Sequence, residues 1–305
     1  MSKFLKTVDD AYSHYEANWI LMERSLDLSS SELLDAKAKI SKAYREINEK
    51  NEDLMSSIQY AKLIQEAVLP SEERFHASIP NSFVFHRSRD IVSGDFYWLQ
   101  EYKGKTLIAA VDCTGHGVPG AFMSIIGNNH LNAAVREVGL TTPALILDYL
   151  NNGLTETLMQ KTGDTMGIKD GMDIALISLD FAKMQLEYAG AYNPLYIIRD
   201  GQLLETKGDK FPIGLSIDNA LRKFSNQEVK LQSGDMIYIF SDGYPDQFGG
   251  PHGKKFKYDN FRDLLFSIHK LSPSEQLNQI STRFQEWKGN LVQIDDTLVI
   301  GVRVP

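Results

Sequence analysis

Four aspartates of this 305-residue chain stand where an apolar run begins or ends: Asp95 in "SGDFYW", Asp112 in "VDCTG", Asp242 in "FSDGY" and Asp295 in "QIDDTL". One aspartate beside a glycine is ordinarily a turn residue, and Asp200-Gly201, between two hairpin strands, is an instance in the same chain. Several of them brought to one end of a sheet pose a different problem. Carboxylates gathered away from water repel each other and remain ionised together only with a cation among them. The sequence has no Cys-His spacing for zinc, and hard oxygen donors select Mg²⁺ or Mn²⁺. Three to four carboxylates suit two such ions about 3.5–4 Å apart, an arrangement that makes hydroxide near neutral pH and clamps a phosphoryl oxygen. The chemistry this pattern predicts is phosphoester hydrolysis.

The elements that must carry those acids alternate strands with paired helices. "SFVFH" (82–86), "DFYWLQEY" (95–102) and "KTLIAAVD" (105–112) read as strands, the last two joined by a Lys-Gly turn. Helices are expected near 119–138 and 143–160, then strands at 173–180 and 185–191 and a hairpin turning on Asp200-Gly201. Strands at 228–231 and 235–242, helices near 258–269 and 273–287, and a last strand at 296–304 complete the chain. Hairpin links make the sheets antiparallel, and helices between runs of strands imply two packed sheets with helices outside. The expected fold is α+β.

The first 70 residues differ in kind, with no glycine, no proline before Pro70 and apolar residues at heptad spacing. Residues 5–26 carry one seam of Leu5, Tyr12, Trp19 and Leu26 and another of Val8, Tyr15 and Met22. Ser29 and Glu32 match a capping box, which predicts a second helix running to Pro70. Its strong stripe is Leu33, Ile40, Ile47, Leu54, Ala61 and Val68. The companion seam is broken by Lys37, Asn51 and Gln65. A homodimeric coil is expected here, against the alternative of a hairpin packed on the following domain. A polar linker near 70–82 then separates a helical segment, 1–70, from a catalytic domain, 75–305.

The segments "VSGDFYW", "DCTGHGVPGAF", "DGMDIAL", "AGAYNPLY", "FSDGY" and "QIDDTLVIGV", in that order over residues 83–304, resemble the SpoIIE-type serine phosphatases of the metal-dependent protein phosphatase (PPM) superfamily. "SIQYAKLIQEAVLP" (57–70) is similar to the helix that often precedes such domains. The resemblance implies an αββα sandwich of two antiparallel sheets in which Asp112 bridges two Mn²⁺ or Mg²⁺ ions. Asp95 and the Cys113 carbonyl would complete one ion's protein shell, and Asp242 with Asp295 would hold the other, Asp296 falling where many relatives carry Asn. It implies a phosphoserine/phosphothreonine phosphatase whose substrate is a regulatory phosphoprotein such as an anti-sigma factor antagonist. Two alternatives stay open: a two-metal phosphoesterase for small molecules, and an inert scaffold recruiting partners through its helices. The family's closing motif usually reads Asp-Asp-x-Thr, whereas Leu298 stands at the threonine position here, so a local hydrogen bond is expected to be lost. His116 packs near Val118 or serves as an acid; Arg87 and Arg89 are solvated or steer phosphate toward Asp95; Asp173 is an accessory acid; and 161–171 has the glycine content of a flap.

Composition narrows the partners. A formal charge of -8 with no basic block argues against nucleic acid. One cysteine, no signal-peptide pattern and no 18-residue apolar run read as a soluble protein of the reducing cytoplasm, with no membrane contact.

Overall fold

The computed structural model describes residues 1–159, 171–214 and 222–305. By contacts the chain divides into two compact units, Met1–Ser57 and Ile58–Pro305. The elements in order are α1 (Ser2–Val68), α2 (Glu72–Ser78), β1 (Ser82–Arg87), β2 (Phe96–Tyr102), β3 (Lys105–Cys113), α3 (Gly117–Arg136), α4 (Pro143–Met159), β4 (Gly171–Asp180), β5 (Gln185–Ala191), β6 (Leu195–Arg199) and β7 (Gln202–Thr206). They continue with β8 (Ile213–Gly214), β9 (Gln227–Lys230), β10 (Met236–Phe240), α5 (Gly243–Asp246), β11 (Phe248–Gly249), β12 (Lys254–Lys255), α6 (Tyr258–Ile268), α7 (Pro273–Lys288) and β13 (Thr297–Arg303).

One sheet has the order β1-β13-β10-β6-β7 and the other β2-β3-β4-β5-β9, with β8 added to β4; all these pairings are antiparallel. Side-chain alternation sorts each strand between two cores. In β3, Leu107, Ala109 and Val111 pack with Leu131, Ile146 and Leu150 of the helices, while Ile108 and Ala110 join Ile197, Ile239 and Ile300 of the facing sheet. On the far side, Phe83, Phe85, Tyr238 and Phe240 pack with Phe261, Leu265 and Phe284 of α6 and α7. The result is the αββα sandwich. The two hairpin turns behave as their sequences direct: Lys103-Gly104 and Asp200-Gly201 all have positive φ, the geometry that matches strand twist in a two-residue loop.

Two expectations about the N-terminal region are corrected. Ser29 and Glu32 do not start a helix; α1 runs through them without a break. A capping box forms only where the preceding chain leaves the helix, and nothing before Ser29 forces that, since serine costs a helix only a few tenths of a kcal/mol. The same S-x-x-E spacing at Ser272 and Glu275 does form the box, because Pro273 follows at the first helical position and bars continuation from upstream. With α1 continuous, the stripe from Leu5 to Val68 keeps one seven-residue register. In the Met1–Ser57 unit its side chains, Leu5, Tyr12, Trp19, Leu26, Leu33, Ile40, Ile47 and Leu54, are all exposed. The region after Pro70 is likewise not a plain linker. Ser71 caps α2 by accepting from the Arg74 N–H, and Phe75 inserts fully into the core between the sheets. Among the described residues no helix is long and apolar enough to cross a membrane.

Candidate active site

Register carries the acids together. Phe96 pairs with Val111, so Asp95, one residue earlier, and Asp112, one residue later, lie beside each other at the same end of β2 and β3; Asp173 of β4 pairs directly with Asp112. On the facing sheet Phe240 pairs with Val299, and the Ser241 N–H donates to the Leu298 carbonyl. Asp242 therefore leaves β10 where Asp295 and Asp296 enter β13. The two sheets present these ends to each other: the field at the Asp112 carboxyl includes Asp95 and Asp173 from its own sheet and Asp242 and Asp295 from the other.

Burial dominates the electrostatics and mutual repulsion adds to it. The carboxyls of Asp95 and Asp112 are held well above the usual carboxylate range, first by loss of water and then by their acidic neighbours; a hydrogen bond from Ser241 partly offsets this at Asp95. Burial pushes Asp173 up to about 7, with Asp242 adding to it. Asp242 rises to about 6 through burial, Asp246 and Asp295, with the charge of Lys255 opposing them. Asp295 is raised by burial, against the opposing charges of His116 and Arg89. Among the described residues no Lys or Arg ion-pairs with Asp95, Asp112, Asp173, Asp242 or Asp295. Neither do three such side chains among the described residues already converge into a finished cage for an ion. The cluster's donor set, carboxylates with no cation of the protein's own among them, fits Mg²⁺ or Mn²⁺.

The backbone around the cluster is closely packed. A Cβ on Gly94 would lie 2.6 Å from the Gly115 carbonyl oxygen and 3.2 Å from that of Cys113, and one on Gly120 would lie 2.2 Å from the Gly115 oxygen. Glycine is therefore required where the loop before Asp95 crosses the one after Asp112. The Cys113 thiol is buried and raised by that burial, so the carbonyl is the donor this residue can offer.

Asp296 faces away from ligand duty: its Oδ1 accepts from the Arg89 N–H and its Oδ2 from the Gly94 N–H, both at 2.7 Å. Ser241 Oγ donates to Asp95 Oδ2 at 2.5 Å and accepts from the Leu298 N–H at 2.9 Å. Neither role was legible in advance, although a small hydroxyl between an apolar strand and Asp-Gly is the visible signal for Ser241. Leu298 itself is a core residue, and Thr297 Oγ1 is buried with no hydrogen-bond partner among the described residues.

Arg87 and Arg89 part company. The Arg87 guanidinium lies against the rings of Phe85 and Phe284, about 6 Å from each, in the outer core. Arg89 donates to the Ile294 carbonyl, close enough to Asp295 to lower its pKa. His116, half exposed at the start of α3, pairs through Nδ1 with Asp90 at 2.8 Å. The flap expected at 161–171 falls, but for Gly171, outside the described residues.

Gln65 is where sequence reasoning went astray. Placed on the coil's polar seam by its spacing, it is instead 5% exposed within the Ile58–Pro305 unit. Its Nε2 donates to the Ser93 carbonyl (2.6 Å) and to Ser124 Oγ (2.9 Å), and its Oε1 accepts from the Ser93 N–H (3.2 Å). A strand edge would satisfy Ser93, two residues before Asp95, in the same way. Gln65→Leu leaves the Ser93 N–H and carbonyl without these partners, and an expected loss of about 1–3 kcal/mol follows. Urea unfolding of the full chain measures it; a change within about 0.5 kcal/mol, as at an ordinary surface position, contradicts this role.

Residues 102–305 match the family described as Stage II sporulation protein E (SpoIIE). The chain belongs to this family. A solved SiaA-PP2C domain of Pseudomonas aeruginosa is 33% identical, with a TM-score of 0.75 over 84% of this chain and 98% of that one. The PP2C phosphatase domain of SpoIIE from Bacillus subtilis, solved with a fragment of its regulatory domain, has the same fold at 20% identity and a TM-score of 0.57, covering 73% of this chain and 61% of that one. RsbX, solved in complex with magnesium, superposes at 14% identity and a TM-score of 0.51 over 73% of this chain and 94% of that one. None of the curated proteins matches the sequence. By family and fold the chain is one of the PP2C-type serine phosphatases.

Proposed function

We propose that this chain is a Mn²⁺- or Mg²⁺-dependent protein serine/threonine phosphatase acting on a cytoplasmic regulatory phosphoprotein, with an anti-sigma factor antagonist as the family's suggestion. The observation that carries the reading is the set of carboxylates from two sheets, Asp95 buried and Asp112, Asp173, Asp242 and Asp295 partly buried, gathered at one end of the sandwich with no Lys or Arg ion-paired to them among the described residues. Asp112 would bridge two ions, with Asp95 and the Cys113 carbonyl toward one and Asp242 and Asp295 toward the other. Ions held there would bring the pKa of water toward neutrality and offset charge on the transferring phosphoryl oxygens.

The protein's own part is positioning. Ser241 fixes one oxygen of Asp95 and leaves the other for a ligand, while Asp296 holds the 89–94 loop by its backbone. Arg89, beside Asp295, supplies positive charge for a phosphate dianion. Because no side chain of the chain attacks phosphorus in this scheme, no phosphorylated enzyme accumulates.

The test is hydrolysis of phosphoserine peptides and a panel of small phosphoesters by chelator-stripped protein with and without Mn²⁺. Mn²⁺-dependent release from the peptides is expected. Release from small esters alone would support the small-molecule reading, and no release from any would support the scaffold.

The exposed stripe of the Met1–Ser57 unit supports a second element of the proposal, pairing of that helix with a second copy. Light scattering at micromolar concentration is expected to give a dimer for the full chain and a monomer for residues 58–305. A monomeric full chain or a dimeric fragment contradicts it.

A further inference from the structure

A cavity of about 440 Å³ opens between the β6-β7 hairpin and the start of α6, lined among others by Tyr192, Glu205, Lys207, Lys210, Tyr258 and Arg262. It lies toward the carboxylate site: Tyr258, which lines it, meets the ring of Phe240, two residues before Asp242, with ring centroids 6.4 Å apart.

Its walls are built, not accidental. Tyr192 is held at φ +56°, a left-handed conformation that bulky residues rarely adopt. The turn is fixed by the Tyr192 N–H donating to the Asp209 carbonyl (2.9 Å) and the Tyr188 hydroxyl donating to the Asn193 carbonyl (2.6 Å). Gly208 packs so closely beneath it that a Cβ there would lie 2.9 Å from the Gly190 backbone. The backbone thus presents a half-exposed aromatic ring at the cavity mouth, outside the hydrophobic clusters of the domain.

Charge distinguishes the floor from the rim. Arg262 is already answered by Glu205 (3.1 Å), Asp259 (3.2 Å) and the Tyr196 hydroxyl (3.0 Å). Lys207 and Lys210 are exposed and have no ion-pair partner among the described residues. Asp209, between them in sequence, turns its carboxylate to the Ser225 N–H and hydroxyl instead. On a chain of formal charge -8, two uncompensated ammonium groups beside a carboxylate-rich site form a local positive rim.

We propose that this cavity is a substrate subsite that takes an acidic side chain flanking the phosphoserine, its carboxylate between Lys207 and Lys210 and its stem against Tyr192. The assignment rests on the phosphoprotein reading above.

The experiment uses the full chain with Mn²⁺ and phosphoserine peptides that differ only in carrying Glu, Ala or Lys next to the phosphoserine, with p-nitrophenyl phosphate as a substrate too small to reach the cavity. The expected kcat/KM order is Glu, Ala, Lys, with at least about fivefold between the extremes, the size of two exposed charge pairs. Lys207→Glu with Lys210→Glu should invert that order and leave p-nitrophenyl phosphate turnover within about twofold, which also reports an intact fold. Equal kcat/KM for the three peptides, or a preference for Glu that survives the charge reversal, overturns the subsite while leaving the phosphoprotein reading in place. Turnover of p-nitrophenyl phosphate with none of any phosphoserine peptide overturns that reading, and the subsite with it.

Discussion

Asp112→Asn and Asp242→Asn are each expected to lower Mn²⁺-dependent hydrolysis of a phosphoserine peptide by on the order of a hundred- to a thousandfold, the scale of losing one preorganised electrostatic element from an active site. Asp112 sits where the fields of Asp95, Asp173, Asp242 and Asp295 meet, so it is the group best placed to share two ions. An amide keeps its shape but supplies neither the charge nor the second anionic oxygen that a bridge needs. The same change removes a source of repulsion from a buried cluster, so the metal-free variants should melt at or above the wild-type temperature. Loss of activity together with loss of fold would assign Asp112 a structural role. Near-wild-type turnover at saturating Mn²⁺ would remove it from the site.

The second large effect is on stability. Asp173 and Asp242 have folded-state pKa values of about 7 and about 6, against about 3.9 in an unfolded chain. Between roughly pH 4 and 7 the folded metal-free protein therefore binds more protons than the unfolded chain. Stability then falls as pH rises through that window and is greatest below it. At about 1.4 kcal/mol per pKa unit the combined effect is on the order of several kcal/mol. Asp180 and Glu275, held low by Lys183 and Ser272, are already ionised above pH 5 and do not mask it; His86 and His130, lowered chiefly by burial, oppose it as pH rises toward the ordinary imidazole value, while Asp95 and Asp112, raised well above the carboxylate range, reinforce it. Scanning calorimetry of chelator-stripped protein should show Tm falling by on the order of 10 °C between pH 5 and 7.5. Mn²⁺ at about a hundred times its Kd should return roughly 2.7 kcal/mol at the upper pH. A Tm that is flat or rises over this range without metal would mean the carboxylates are solvated, not clustered.

Most of what positions the site could be read from sequence because it is local. Alternation in "KTLIAAVD" gives β3 both faces of its core, and Lys103-Gly104 and Asp200-Gly201 dictate their turns, so the strand ends, and the acids on them, fall where expected. Register then does the rest, since pairing Phe96 with Val111 leaves Asp95 no place but beside Asp112. What sequence could not reveal is long-range. Ser29 and Glu32 have the right spacing for a cap but lack a reason for the chain to turn, which Pro273 provides beside Ser272. Phe75 looks like one apolar residue in a polar stretch until the sandwich offers it a core. Gln65 reads as a flaw in a coil because the partners that satisfy it, Ser93 and Ser124, lie 28 and 59 residues away. Asp296 reads only as the neighbour of Asp295, and the backbone N–H groups of Arg89 and Gly94 that its oxygens accept from lie more than 200 residues away in sequence.

The most direct test of the two-ion carboxylate site is calorimetric titration of the chelator-stripped full chain with Mn²⁺, with phosphoserine-peptide hydrolysis followed on the same samples. The account predicts saturable binding of two ions per chain, turnover that rises with their occupancy, and loss of binding in Asp112→Asn. Hydrolysis that proceeds undiminished in excess chelator, or Mn²⁺ binding that is the same in wild type and Asp112→Asn, would contradict it.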